Sequence, residues 1–327
     1  MKALFVVAGT EGGSFEFRDV PMTDPGPGQA RVRVRASGLN RGVLMVVAAL
    51  RGDPPRIDPV PAGIEFAGEV DALGPGVAGF AIGDRVMGRG PASAAEYVTL
   101  DARFLVPVPE GWSWAEAAAV PNVFITSHNA IVTNARLRAG ETLMVTAGSS
   151  GVGTASIQIA RELGAQQVLA TTRSPGSKGD ALRALGTDVV VDTSRSDWHE
   201  EVREATGGRG VDVIIDTVGA PLLSGNIEAA ALCGRIIDVG RTGGRVAEID
   251  LNLVALKRLS LIGVTFRTRT EEEDIDCTRR FADDLMPAFE DGRLRPVLHR
   301  SFPWEDVEAA YGSMTGDTHI GKIVIVL

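Results

Sequence analysis

ETLMVTAGSSGVGTASIQIAREL, residues 141–163, is the stretch of sequence that decides the fold. Its first part, Glu141–Thr146, is an apolar run typical of a buried strand. Its last part, Thr154–Leu163, has the spacing of an amphipathic helix, which Gly164 ends. The small residues between the two parts include glycine at positions 148, 151 and 153. We therefore expect a tight glycine-rich turn that joins a strand to a helix.

The alternation of strand and helix patterns continues to residue 264. Further predicted strands are Gln167–Thr171, Asp188–Val191, Val211–Asp216, Arg235–Val239 and Leu259–Val264. Further predicted helices are Lys178–Leu185, Asp197–Ala205 and Leu222–Leu232. Short apolar strands that alternate with helices are typical of a parallel sheet covered by helices. The sequence therefore predicts an α/β domain over this region.

The first hundred residues have a different character, with short strands between Gly and Pro turns. The predicted strands are Lys2–Val7, Ala30–Ala36, Glu65–Val70, Gly83–Gly88 and Ala95–Val98. This pattern predicts a small β-barrel or sandwich. After residue 266 come a predicted helix, Asp274–Glu290, and a last strand, Lys322–Val326. A tail of this length makes a poor domain by itself, so we expect it to complete the first domain.

Composition excludes several classes of protein. The 327 residues carry a net charge of −9, and no basic run stands out, so we expect no nucleic-acid partner. The apolar stretch at the start is too short for a signal peptide or a membrane span, so we expect no membrane segment. The two cysteines, Cys233 and Cys277, have no metal-ligand spacing, which fits a reducing cytoplasm. Cys233 lies in an apolar stretch and is predicted to be a small core residue.

The glycine turn has the residue types that a dinucleotide pyrophosphate requires. Glycines allow the backbone N–H groups to approach the phosphates, and the helix that follows presents its partly positive N-terminus. Two serines can also donate hydrogen bonds to phosphate oxygens. The alternative is a turn that is only structural, since strand-to-helix turns commonly use glycine. The candidate contacts are Gly148, Ser149, Ser150, Gly151, Val152 and Gly153.

The loop after the second strand predicts which dinucleotide binds. No Asp or Glu stands at the end of that strand to bind a ribose 2′-hydroxyl. The loop instead contains Thr172, Arg173, Ser174 and Lys178, which suit a 2′-phosphate. The alternative is a solvated loop that is basic by chance. We therefore predict NADPH rather than NADH.

These motifs and several others resemble one family. The matching segments are 24–29 (DPGPGQ), 37–40 (SGLN), 63–68 (GIEFAG), 83–86 (GDRV), 95–97 (AEY), 149–153 (SSGVG), 216–219 (DTVG) and 321–324 (GKIV). The chain resembles the medium-chain dehydrogenase/reductases, and most of all the zinc-independent quinone oxidoreductase branch that includes zeta-crystallin. The resemblance implies a GroES-like β-barrel catalytic domain, residues 1–120 and 266–327. It also implies a Rossmann domain with a doubly wound parallel sheet, residues 121–265, with the cofactor in the cleft between the domains.

Zinc ligands of the family are missing. Zinc-dependent members carry Gly-His-Glu where this chain has Gly63, Ile64 and Glu65, and isoleucine cannot bind zinc. The ligand cysteine expected near Asn40 is missing too, as is the four-cysteine structural loop. The four histidines lie far apart in the sequence. We therefore expect no metal, which disfavours zinc-type alcohol dehydrogenation.

The resemblance also implies further cofactor contacts. The candidates are Asn40 and Thr126 at the nicotinamide end, Val218, the run Val239, Gly240 and Arg241 past the pyrophosphate and ribose, Thr265, Phe266 and Arg267 over the nicotinamide, and Lys322 near the phosphates. In a doubly wound sheet, ligands bind beyond the carboxyl ends of the strands, where Gly240 and Thr265 are expected. Three of these residues also have a plainer interpretation: Gly240 as a turn, Thr126 as a helix side chain and Lys322 as a solvated charge.

No catalytic side chain can be named from the sequence. Some relatives place a tyrosine shortly after the Asn, where this chain has Met45. Tyr311, one of two tyrosines in the chain, is predicted to pack in a C-terminal helix. The candidates that line the substrate cleft are Asn40, Arg41, Met45, Ile64, Phe124 and Arg267. We therefore predict that solvent or a bound water supplies the proton.

Three functions remain open at this point. The first is NADPH-dependent hydride transfer to a small-molecule quinone or α,β-unsaturated carbonyl, without zinc. The second is reduction of a 2-enoyl thioester, and the third is a crystallin-like, cofactor-binding role without catalysis. The resemblance also implies a homodimer, in which the predicted edge strand Arg258–Val264 pairs with its copy. The alternative is a core strand in a monomer.

Overall fold

A computed structural model describes residues 1–9, 12–42 and 59–327. The chain forms two compact units, Met1–Asn122 with Thr278–Leu327, and Val123–Cys277. Residues 266–277, which we assigned to the first domain, therefore pack with the second unit. In the described residues, none of the helices combines the length and apolar character needed to cross a membrane.

The strands and helices are numbered in chain order. The strands are β1 (Lys2–Gly9), β2 (Gly12–Asp19), β3 (Gln29–Gly38), β4 (Val60–Pro61), β5 (Glu65–Leu73), β6 (Arg85–Arg89), β7 (Tyr97–Asp101), β8 (Leu105–Pro107), β9 (Thr142–Val145), β10 (Gln167–Thr172), β11 (Val189–Asp192), β12 (Val211–Asp216), β13 (Ala230–Asp238), β14 (Ser260–Gly263), β15 (Leu298–Pro303) and β16 (Lys322–Val326). The helices are α1 (Trp114–Ala118), α2 (Pro121–His128), α3 (Gly151–Glu162), α4 (Pro175–Ala184), α5 (Trp198–Ala205), α6 (Ala220–Ala229), α7 (Leu251–Leu256), α8 (Glu271–Glu290) and α9 (Val307–Thr315). A π-helical turn, Asn129–Ala135, continues α2.

The first unit is built from β-sheets. In its described part, one sheet has the order β2-β1-β4, and another has the order β15-β16-β3-β5-β6-β8, with β7 also paired to β3. The alternation predicted for β3 is present, since Val32 and Val34 are buried while Arg33 is exposed. The last strand, β16, pairs antiparallel with β3, so the end of the chain completes this unit. The prediction of a GroES-like β-domain is confirmed.

The second unit has a parallel sheet of six strands in the order β11-β10-β9-β12-β13-β14. Most of its strand residues are buried, because helices cover the faces of a parallel sheet. This is the doubly wound Rossmann order, and the strand order reverses between the adjacent strands β9 and β12. The prediction of a Rossmann-type domain is confirmed. The loops after β9 and β12 therefore lie at the switch point, where such sheets bind ligands.

The sequence prediction was wrong around Cys233. The predicted helix Leu222–Leu232 ends at Ala229, and β13 begins at the next residue. Cys233 is exposed rather than part of the core. Its φ is +62°, and the pairing of β12 with β13 shifts register here. This irregularity turns the side chain outwards, whereas the apolar residues around it in the sequence suggested burial.

Candidate functional site

The glycine turn lies between β9 and α3. Ser150 is the N-cap of α3, and its hydroxyl accepts a hydrogen bond from the Gly153 N–H at 3.0 Å. A Cβ at position 148 would lie 2.6 Å from the Ala170 Cβ, and one at position 153 would lie 2.5 Å from the Gly148 carbonyl oxygen. Both positions therefore require glycine. The turn brings bare backbone to the N-terminus of a twelve-residue helix, which favours a bound anion.

A hydrogen bond from Lys178 connects the glycine turn to the helix that follows β10. The Lys178 Nζ donates a hydrogen bond to the Ser149 hydroxyl at 3.2 Å, although Ser149 lies in the turn before α3 and Lys178 lies in α4. Lys178 is only 5% exposed. Arg173 and Ser174 are exposed in the short loop between β10 and α4, and the Ser174 N–H donates to the Thr172 hydroxyl at 3.2 Å. The structure thus brings a buried cation and a serine of the turn together at the ends of β9 and β10.

Asp216, the last residue of β12, organises the switch point. Its Oδ1 accepts hydrogen bonds from the Thr146 hydroxyl at 2.9 Å and from the N–H groups of Val218 at 2.9 Å and Gly219 at 3.1 Å. Its Oδ2 accepts from the Asn226 side-chain amide at 3.0 Å. Burial raises the pKa of Asp216 above its ordinary value, and the bonds from Gly219 and Val218 oppose that rise.

Thr146 and Thr217 complete this link between the two loops. The Thr217 N–H donates to the Thr146 hydroxyl at 2.8 Å, and the Thr217 hydroxyl donates to the Thr146 carbonyl at 2.9 Å. Asp216 therefore fixes the start of the glycine turn and the segment that contains Val218. We did not predict a role for Asp216 from the sequence. The sequence did carry a signal for such a role, since a carboxylate at the end of a buried apolar strand requires several hydrogen-bond donors.

The run after β13 lies against the same loop. A Cβ at Gly240 would lie 2.5 Å from the Thr217 carbonyl oxygen, so glycine is required there for packing. The Val239 N–H donates to the Asp216 carbonyl at 2.8 Å. Arg241 forms an ion pair with Asp238 at 2.6 Å. The structure therefore brings the run 239–241 beside the loop after β12.

Other candidates in this unit differ in exposure. Thr265 and Arg267 are exposed and Phe266 is half-buried. The Arg267 N–H donates to the Thr265 hydroxyl at 3.2 Å, which closes a local turn. On α2, Thr126 and Phe124 are both buried. Phe124, which we expected to line a cleft, is one of the largest fully buried side chains.

Lys322 does not fit the expected phosphate contact. Its Nζ donates to Glu65 Oε1 at 2.5 Å, to the Leu39 carbonyl at 2.6 Å and to Asn40 Oδ1 at 3.0 Å. An ammonium group has three N–H donors, and these three acceptors use them all. The side chains of Lys322 and Glu65 are 4% and 0% exposed. Lys322 therefore belongs to a buried ion pair, and its sequence position alone could not show this partner.

The same ion pair holds Asn40. The Asn40 amide donates to Glu65 Oε1 at 2.8 Å, while its Oδ1 accepts from the Asn122 side chain at 2.8 Å. Glu65 Oε2 accepts from the Asn122 N–H at 2.7 Å. A Cβ at Gly38 would lie 2.4 Å from Glu65 Oε1, which explains the glycine. Asn40 is thus held in one orientation by buried groups.

The remaining cleft candidates lie apart from this network. Arg41 is ion-paired with Asp317 at 2.7 Å, and Ile64 is 40% exposed. Met45 lies outside the described residues. Tyr311 is buried and stacks on Phe15, and burial raises the pKa of its hydroxyl. The interpretation of Tyr311 as a packing residue agrees with this position.

The donor set does not fit zinc. Across residues 1–9, 12–42 and 59–327, no group of three His, Cys, Asp or Glu side chains is arranged to hold a metal ion. Ile64 offers no donor atom, and the neighbouring Glu65 is already paired with Lys322.

Two family models match the chain. The alcohol dehydrogenase GroES-like domain matches residues 26–110, and the zinc-binding dehydrogenase domain matches residues 151–281. A crystal structure of an NAD-dependent alcohol dehydrogenase has 32% sequence identity, covers 100% of both chains and has a TM-score of 0.86. The chain therefore belongs to the medium-chain dehydrogenase/reductase superfamily, as the sequence motifs predicted.

Curated relatives are much longer proteins. The chain is 34% identical over 312 residues to mycoketide-CoA synthase of Mycobacterium tuberculosis, covering 94% of this chain and 7% of that protein. It is 36% identical over 304 residues to the spectinabilin polyketide synthase system protein NorB of Streptomyces orinoci, covering 92% of this chain and 13% of that protein. The chain thus spans a small part of these synthases.

Two further solved structures are similar over the whole chain. The JamJ enoyl reductase has 26% identity and a TM-score of 0.85, with 99% of both chains covered. The mycobacterial protein Rv1454c, solved in complex with NADPH, has 27% identity and a TM-score of 0.87, with 100% of both chains covered.

Proposed function

We propose that this chain is an NADPH-dependent enoyl reductase that acts on a 2-enoyl thioester. The observation that carries the proposal is the similarity over more than nine tenths of the chain to polyketide synthases, together with the similarity to an enoyl reductase of the same length. Reduction of a 2-enoyl thioester was the second of the three functions that the sequence left open. Quinone reduction, the first expectation, has no comparable support.

The choice of NADPH rests on the ends of β9 and β10. The glycine turn and the N-terminus of α3 bind the pyrophosphate, and Lys178 lies at Ser149 beside them. Arg173 and Ser174 are exposed at the end of β10, where no carboxylate of that loop would repel a 2′-phosphate. The complex of a similar protein with NADPH adds support.

The chain's own residues would bind and orient the cofactor and the substrate, and they would exclude water. NADPH supplies a hydride for the β-carbon of the conjugated thioester when it is bound. The network of Asp216 with Thr146 holds the glycine turn in one shape for the pyrophosphate, and the segment Thr265–Arg267 would hold the nicotinamide. Tyr311 is too buried to protonate the α-carbon, so water supplies that proton. No step uses a metal.

We further propose a homodimer formed through β14. This strand is at the edge of the parallel sheet, with no described strand paired to its outer side. Leu261 on β14 is exposed, as are Leu232 on the neighbouring strand β13 and Leu256 at the end of α7. An exposed apolar edge strand commonly pairs with a second copy across a two-fold axis.

The test compares acceptors and cofactors in one kinetic experiment. The purified chain is given a crotonyl thioester or a simple benzoquinone, each with NADPH and with NADH. The proposal predicts a saturated thioester as product, and a kcat/KM with NADPH that exceeds that with NADH by roughly ten-fold or more. Turnover of the quinone without any thioester reduction would contradict it, as would a preference for NADH.

A further inference from the structure

One side chain anchors the segment that follows β14. The Arg269 Nε donates a hydrogen bond to the Thr265 carbonyl at 2.9 Å. Its guanidinium lies over the Phe266 ring, 4.6 Å from the ring centre, at a distance typical of a cation–π contact. Arg269 therefore contacts both the backbone and a side chain of the segment Thr265–Arg267.

The other side of the guanidinium reaches buried groups. Nη2 donates to Asn129 Oδ1 at 2.8 Å, and Nη1 lies against Cys277 Sγ. Asn129 and Cys277 are 2% and 6% exposed. The Asn134 amide also donates to Asn129 Oδ1 at 3.0 Å, which holds that acceptor in place. Both partners of Arg269 are thus fixed in the interior of the second unit.

Asn129 begins the π-helical turn Asn129–Ala135. A π turn interrupts the regular hydrogen bonding of a helix and is frequently found at functional sites. The turn directly continues α2, which carries the candidate contact Thr126. Arg269 therefore links the segment after β14 to the helix that carries a second candidate contact.

We propose that Arg269 is a positioning residue, which holds Thr265, Phe266 and Arg267 in the shape that hydride transfer requires. The inference rests on the proposed function, since that function gives this segment its role at the nicotinamide. The segment is neither helix nor strand, and Thr265 and Arg267 are exposed, so its shape does not come from regular secondary structure. A planar fork that bonds a carbonyl, an amide and a sulfur at once suits arginine and not lysine.

A purely structural role at the start of α8 does not explain these contacts. Thr270 and Glu273 already cap that helix, because the Thr270 N–H donates to Glu273 Oε2 at 2.8 Å and the Glu273 N–H donates to the Thr270 hydroxyl at 3.3 Å. The helix start is therefore satisfied without Arg269. What Arg269 adds is the connection from Thr265 and Phe266 to Asn129 and Cys277.

The test uses Arg269→Gln and Arg269→Lys, with Arg195→Gln as a matched control, because Arg195 is a surface arginine paired with Asp197 in the same unit. Amide hydrogen exchange of residues 264–268 is measured without ligands, and NADPH affinity, kcat and KM are measured for the crotonyl thioester. We expect both Arg269 variants to exchange faster in this segment alone and to lose about ten-fold or more in kcat. NADPH affinity should change by less than about three-fold, because the phosphate contacts are elsewhere.

Cys277→Ser and Cys277→Ala add a conservative comparison. A serine hydroxyl can still accept from Arg269 and from the Asn129 amide, which donates to Cys277 Sγ at 3.4 Å, so the serine variant should keep more of kcat than the alanine variant. Unchanged exchange of residues 264–268 in Arg269→Gln would overturn the proposal. Faster exchange throughout the second unit, with NADPH affinity and kcat lost together, would also overturn it, since that is the result of a structural role. If the parent chain reduces no thioester, the proposed function fails, and the exchange measurement still decides whether Arg269 orders the segment.

Discussion

At the residue scale, the cofactor assignment depends on a few side chains at the ends of β9 and β10. Lys178 and Arg173 have different surroundings, since Lys178 is buried against Ser149 while Arg173 is exposed. An exposed guanidinium can form a charge-assisted, two-point contact with a 2′-phosphate, which NADH lacks. The contribution of Arg173 should therefore be visible in the difference between the two dinucleotides.

Arg173→Ala should weaken NADPH binding by roughly 10- to 100-fold and leave NADH binding nearly unchanged. Titration of nicotinamide fluorescence measures both dissociation constants. Arg183→Ala is the control, because Arg183 is an exposed arginine of the nearby helix α4 that pairs with Asp180. Equal losses for NADPH and NADH would remove the 2′-phosphate assignment.

Asp216 gives a prediction about pH. Burial raises its pKa in the folded chain above the ordinary value of 3.8. Between the unfolded and the folded pKa, the folded state binds the proton and the unfolded state does not, so stability falls as pH rises through this window. The free energy of unfolding of the parent chain, relative to Asp216→Asn, should therefore be highest at low pH and decline as Asp216 ionises. Urea unfolding across this pH range measures it, and a relative stability that rises with pH would contradict the assignment.

Residue roles that depend on distant partners could not be predicted from the sequence. Lys322 and Glu65 are far apart in the chain, and they come together because β3 pairs with both β16 and β5. The resemblance therefore suggested a phosphate contact for a lysine whose donors are all used. Arg269 and Asn129 are a similar case, because Asn129 precedes all strands of the parallel sheet in the sequence and Arg269 follows them. The glycine turn was predictable because its chemistry is local.

At the element scale, the strands were predictable because each is a short apolar run between turns. The predicted strand Val211–Asp216 matches β12, and Lys322–Val326 matches β16. The helix predicted over Leu222–Leu232 was too long, because apolar residues continue without a break from α6 into β13. Hydrophobic pattern alone cannot separate a buried helix end from a buried strand start.

The contact between β16 and β5 gives a prediction about stability. Lys322→Met would leave Glu65 buried without its cation, so we expect a loss of about 3–5 kcal/mol in the free energy of unfolding. Adding Glu65→Gln should recover about half of that loss, because the buried charge is then gone. Urea unfolding of both variants measures this. A loss in Lys322→Met no larger than that of a surface lysine variant, Lys2→Met, would contradict the role of the pair.

At the scale of the whole molecule, the proposed homodimer depends on the sheet edge formed by β14. Leu261→Lys puts a charge on this edge and should convert a dimer to a monomer at micromolar concentration. Sedimentation velocity measures the assembly state over a range of concentrations. Ile82→Lys is the control, since Ile82 is an exposed apolar residue of the first unit. A parent chain that stays monomeric at all concentrations would contradict the homodimer.

The central claim is hydride transfer from NADPH to an enoyl thioester, and isotope transfer tests it most directly. The chain is incubated with a crotonyl thioester and NADPH that carries deuterium at C4 of the nicotinamide, in each of its two stereochemical forms. We predict that one form yields a saturated thioester with a single deuterium at the β-carbon, while the α-carbon takes its hydrogen from water. A thioester that is recovered unreduced, or a product with no deuterium from either form, would contradict the claim.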